Sequence, residues 1–123
     1  MEEPRTCFIG GEKFDPDRVE EYVLGLDPKQ LVVTGEGRGA EERVKTMAAL
    51  RGMQIRVPPL QLQLFSGIAR VRVEKALKLQ VVDVYVQALL GGKLVLVGAG
   101  SRVEDARAML TRSSAWPMEV EEL

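Results

Sequence analysis

Three stretches of the chain set glycine where a strand would hand over to a helix, and there backbone amides can meet an anion. Gly10 and Gly11 close the apolar run RTCFI. Gly35, Gly37 and Gly39 separate LVVT from a helix-prone segment that begins at Ala40. Gly98 and Gly100 stand between KLVLV and a second such segment that opens at Ser101. Glycine lets backbone approach a phosphate with no Cβ in the way. The first free N–H groups of a helix point at such a ligand, and the helix dipole favours its charge. Arg38, inside GEGRG, adds a charge-assisted clamp. GEGRG suits a phosphate cradle, and on its glycines alone it suits equally well a tight turn that needs positive φ. Glu36 is an awkward charge for an anion site unless it points away or meets a sugar hydroxyl. No Gly-Lys-Ser/Thr follows, so GEGRG is not the phosphate loop of ATPases, and its spacing does not match G-x-G-x-x-G.

In the last turn, Ser101 and Glu104 form S-x-x-E, the pattern of a capping box. On spacing alone that structural role comes before any chemical one. The chain contains no histidine, which removes His-based triads, His acid–base work and His metal ligands. With a single cysteine, Cys7, there is no transition-metal constellation and no intrachain disulfide. Cys7 lies in TCFI and reads as a small buried hydrophobe. Any catalysis must use carboxylates, Arg, Lys, Ser, Thr or Tyr.

The elements that must hold these turns follow from the hydrophobic pattern. The 123 residues fit one domain, 1–123, with a real core. Strands are expected at 5–9, 30–34, 53–57 and 93–97. Helices are expected from Asp15-Pro16 to about residue 26, over 40–51, over 66–90 and over 101–112. LQLQLF, residues 60–65, alternates and reads as an extended arm or an edge strand. VVDVYV, 81–86, is β-branched and competes with the long-helix reading. WPMEVEEL is expected to add a closing strand confined to an edge or a strand start by Pro117. Strand alternating with helix predicts a three-layer α/β, Rossmann-like domain: a mainly parallel sheet of about five strands flanked by helices. A net charge of −1 gives no general affinity for nucleic acid or anionic membrane. No apolar run approaches the roughly 20 residues of a membrane span. The acidic start, MEEPR, lacks the features of a signal peptide, so a cytoplasmic location is expected.

The order of elements and the two later glycine turns resemble the SLOG superfamily of Rossmann-like nucleotide-binding proteins. That group includes the Lonely Guy phosphoribohydrolases, the DprA/Smf proteins and the small YspA-like proteins. VTGEGRGAEE is similar to the V-T-G-G-A-R-G-A-D of YspA-like members. GIAR is similar to their G-P-I-R-N, with Gly67 and Arg70 in register and Val71 in place of Asn. LVGAGSRVE is similar to the P-G-G-x-G-T-x-x-E of the phosphoribohydrolases, with Gly98, Gly100, Ser101 and Glu104 in register and without the Pro and first Gly. The resemblance spans roughly residues 5–113. It implies that Gly35, Gly37 and Gly39 shape a ligand loop, that Gly98, Gly100 and Ser101 hold phosphate, and that Arg70 pairs with phosphate or a sugar-linked group. In the hydrolase branch, an Arg and this Glu assist N-glycosidic cleavage, which would cast Arg70 and Glu104 as catalytic.

The expectation placed first is a protein that binds a nucleotide-derived phosphate ligand, of the ADP-ribose or nucleoside-phosphate class, as a sensor, carrier or sequestering protein. A nucleoside-monophosphate phosphoribohydrolase comes second, and a ligand-free assembly domain third. No cofactor is expected. Abundant apolar positions from 60 to 90 point to a homodimer or larger assembly.

Overall fold

In the computed structural model, which describes residues 4–123, ten short elements follow one another in the order the pattern implies. They are β1 (Arg5–Gly10), α1 (Pro16–Leu24), β2 (Leu31–Thr34), α2 (Ala40–Leu50), β3 (Ile55–Arg56), a 3₁₀ turn (Leu62–Leu64), α3 (Ala69–Leu89), β4 (Lys93–Val97), α4 (Ser101–Arg112) and β5 (Glu119–Glu122). The five strands form one sheet in the order β3-β2-β1-β4-β5, and every neighbouring pair is parallel. Helices cover both faces, so the architecture is three-layered and Rossmann-like.

Alternation along the strands sorts the core. Cys7, Ile9, Leu31, Val33, Leu94 and Leu96 face α3 and α4. Phe8, Val32, Val95 and Val97 face α1 and α2. Strands covered on both sides read as continuous apolar runs, as RTCFI and KLVLV do.

Local chemistry sets several boundaries. Asp15 caps α1 by accepting from the Asp17 N–H at 3.0 Å, with Pro16 in the first helical position. α2 ends in a paired motif: the Met53 N–H donates to Ala48 O and the Gly52 N–H to Ala49 O, both at 3.0 Å. Gly52 sits at φ +69°, the left-handed residue this ending needs.

VVDVYV is helical. Its Val81, Val84 and Tyr85 fall on the buried face of α3 with Ala76 and Ala88, while Val82 and Val86 face outward. Each fully buried Val contributes about 1.5–3 kcal/mol, whereas its helix-propensity penalty is at most about 0.7 kcal/mol. Burial on the sheet wins. Residues 60–65 are neither arm nor strand. Pro58-Pro59 interrupts pairing after Arg56, and 62–64 coil into the 3₁₀ turn beside α3. The third strand shrinks to two residues from both ends: the Met53 N–H is taken by Ala48 O at the end of α2, and Pro58-Pro59 follows on the other side. β5 is the expected closing strand at the sheet's other edge.

Candidate functional site

β1 and β4 are neighbours in the sheet, but after β1 the chain runs outward to β2 and β3 before it returns to β4. Strand order therefore reverses between β1 and β4. In an open α/β sheet, the carboxyl ends of the strands at such a point splay their loops apart and leave a crevice. Here a cleft of about 440 Å³ lies there, lined by Gly10 to Lys13 after β1, by Arg38, and by Ala99 to Arg102 after β4.

The floor of the cleft is stitched backbone to backbone. The Gly11 N–H donates to Val97 O at 2.9 Å, the Ala99 N–H to Lys13 O at 2.8 Å, and the Ala40 N–H to Gly11 O at 3.1 Å. A Cβ on Gly11 would lie 1.9 Å from Ala99 O, and one on Gly98, at φ +70°, 2.0 Å from Lys13 O. These two glycines are occupied by the chain's own close approach. Gly98 does not line the cleft, and Gly39 is the N-terminal cap residue of α2.

α4 opens onto the cleft. Its cap residue is Gly100, which offers no side-chain bond. The Glu104 N–H is the first to reach back, to Gly100 O at 3.1 Å. The amides of Ser101, Arg102 and Val103 are thus the helix's intrinsically unpaired donors. Exposed Lys13 and Arg38 bring two positive charges to the same space, and Glu12 brings one negative charge. Among the described residues neither Lys13 nor Arg38 forms an ion pair.

The capping box does not form. Gly100 lies against Gly11, where a Cβ would sit 3.0 Å from its Cα, and the helix begins one residue earlier than S-x-x-E requires, with Gly100 rather than Ser101 as its cap residue. Ser101 is the first helical residue. The Glu104 side chain is exposed and pairs with Arg107 at 3.7 Å. Arg70 is exposed at the start of α3 and pairs with Glu74 at 3.2 Å. Neither lines the cleft. Glu36 also stands outside it, 3.7 Å from Lys45.

Gly35 and Gly37 lie below the cleft, over a buried polar cluster that sequence reasoning did not single out. Arg102 donates through Nε to Glu41 Oε2 at 2.7 Å and through Nη2 to Glu41 Oε1 at 3.0 Å. Glu41 also accepts from the amides of Gly10 and Gly37, each at 3.1 Å. Gln80 accepts from the Glu36 N–H at 2.7 Å and from Arg102 Nη2 at 3.1 Å, and it donates to Pro58 O at 2.6 Å. A Cβ on Gly35 would fall 2.4 Å from both Arg102 Nη2 and Gln80 Oε1; on Gly37 it would fall 2.7 Å from Arg102 Nε. Two of the GEGRG glycines are therefore small to admit this cluster. One signal was present: Glu41 stands where the similar motif ends in an acidic residue.

Cys7 is fully buried, and burial pushes its thiol up to about 12, which leaves it inert at neutral pH. Among the described residues no cluster of His, Cys, Asp and Glu could hold a metal ion, and no helix is long and apolar enough to cross a membrane. No family model, curated protein or solved structure gives a significant match to the chain.

Proposed function

We propose that the cleft between β1 and β4 binds the phosphate of a nucleotide or nucleotide-derived molecule, in a diverged SLOG-like domain that senses, carries or sequesters its ligand. The observation that carries this reading is the convergence of the α4 amino terminus, Arg38 and Lys13 on one cleft at the point where strand order reverses. Backbone donors and a helix dipole favour an anion there. Two exposed cations add attraction in a protein whose net charge is −1. Glu12, at the cleft's edge, suits a hydroxyl-bearing group beside the phosphate, because a carboxylate accepts hydrogen bonds and repels a second anion. A sugar phosphate meets both requirements.

Binding is proposed ahead of cleavage because Arg70 and Glu104 lie outside the cleft lining. Calorimetry with adenosine monophosphate, ADP-ribose and inorganic phosphate tests the reading, together with mass spectrometry of small molecules carried through native purification. Saturable binding by wild type that weakens about tenfold or more in Arg38→Ala, for loss of a charge-assisted contact, supports it. A purified protein that carries no phosphate compound and binds none of the three contradicts it.

A further inference from the structure

Glu41 is a carboxylate with no exposed surface, yet it joins three separate segments of the cleft. It accepts from Gly10 at the end of β1, from Gly37 in the turn between β2 and α2, and from both arms of the Arg102 fork in the first turn of α4. α2 and α4 cover opposite faces of the sheet. The ion pair therefore crosses the carboxyl end of the sheet and ties one helical layer to the other directly beneath the cleft. Arg102 is fully engaged in this task, since Nη1 donates to Leu77 O at 2.8 Å and Nη2 also reaches Gln80. Each guanidinium nitrogen thus has a partner within the protein, and the residue's amide stands in the first turn of α4.

A buried ion pair is a poor choice for stability alone, because apolar residues of the same volume serve as well or better. Its bidentate geometry does what an apolar contact does not: it fixes distance and angle between the parts it joins. We infer that Glu41 and Arg102 are positioning residues that hold the first turn of α4 in register with the end of β1 and the GEGRG turn, so that the cleft's amides are set before a ligand arrives. The ligand half of this inference rests on the proposed phosphate binding; the register half does not.

The test reads each substitution at the far end of the pair. Glu41→Gln keeps the shape on α2 and is read at the Ser101, Arg102 and Val103 amides by two-dimensional NMR. Arg102→Lys keeps the charge on α4 and is read at the Gly10 and Gly37 amides. Both are also titrated with adenosine monophosphate. Expected are displaced resonances and faster amide exchange at the distant segment in a protein that still melts cooperatively, with binding weakened about tenfold or more. A merely stabilising pair would lower the melting temperature and leave the folded state's distant resonances and its affinity in place; that result overturns the inference. If wild type binds no phosphate compound, the proposed function fails, and the distant resonances alone decide: moved supports register, unmoved rejects it. Should one variant not fold, the other gives the same decision.

Discussion

Arg102→Ala is the substitution with the largest expected effect on stability. It removes the fork that meets Glu41 at 2.7 and 3.0 Å and leaves a carboxylate of zero exposure with only the Gly10 and Gly37 amides. Breaking a buried pair from one side costs about 3–5 kcal/mol, because the remaining charge stays desolvated. Leu77 O loses its Arg102 donor as well, and Gln80 Oε1 is left with the Glu36 N–H. Unfolding entropy of roughly 2.1 cal/mol/K per residue over 123 residues is about 0.26 kcal/mol/K, so the melting temperature should fall by about 12–19 °C. Thermal denaturation followed by circular dichroism at neutral pH reads this directly. Replacing both partners, Glu41→Met with Arg102→Met, should return most of the loss. A drop of less than about 4 °C for Arg102→Ala, the equivalent of ~1 kcal/mol, would refute the reasoning that the pair is desolvated and mutually dependent.

Gly11→Ala should destabilise by several kcal/mol, on the order of the largest single-residue effects, since its Cβ would sit 1.9 Å from Ala99 O; an urea midpoint equal to wild type would contradict the stitched floor. The Cys7 thiol should resist a thiol-specific disulfide reagent in the native state at pH 8 and react once urea unfolds the chain. Its folded pKa of about 12 lies above the ordinary 9, so its contribution is complete below pH 9 and declines as pH rises toward 12; rapid native labelling would refute this burial. The exposed apolar residues Val82, Val86 and Leu90 on the outer face of α3 are expected to form a homodimer contact. Sedimentation should show a dimer that Val86→Glu converts to monomer, and a monomeric wild type at high micromolar concentration would reject it.

Much of the fold was legible because its signals are local. RTCFI and KLVLV are apolar runs bounded by glycine, and Asp15-Pro16 is a helix start within three residues. α3 was harder, since VVDVYV carries strand propensity and only its place over the sheet settles the contest. The S-x-x-E pattern misled because a helix can begin at either of two adjacent residues, and here Gly100, packed on Gly11, is the cap residue, so the helix starts at the earlier one, Ser101. At the candidate site, GEGRG stood out as unusual, but its reason was hidden. Glu41 and Arg102 are 61 residues apart and each looks like an ordinary charged residue of a helix's first turn. Their pairing exists only once the sheet brings α2 and α4 to a common edge. Arg70 and Glu104 were marked by motif register, which fixes position along the chain but not the direction a side chain takes.

The most direct measurement of the central claim is a two-dimensional NMR titration of wild type with adenosine monophosphate. The expected result is saturable shifts concentrated at Gly11, Gly100, Ser101 and Arg102, with smaller ones at Arg38. No shifts at millimolar ligand, or shifts centred on Arg70 at the start of α3 with the α4 amides unmoved, would contradict phosphate binding in the β1–β4 cleft.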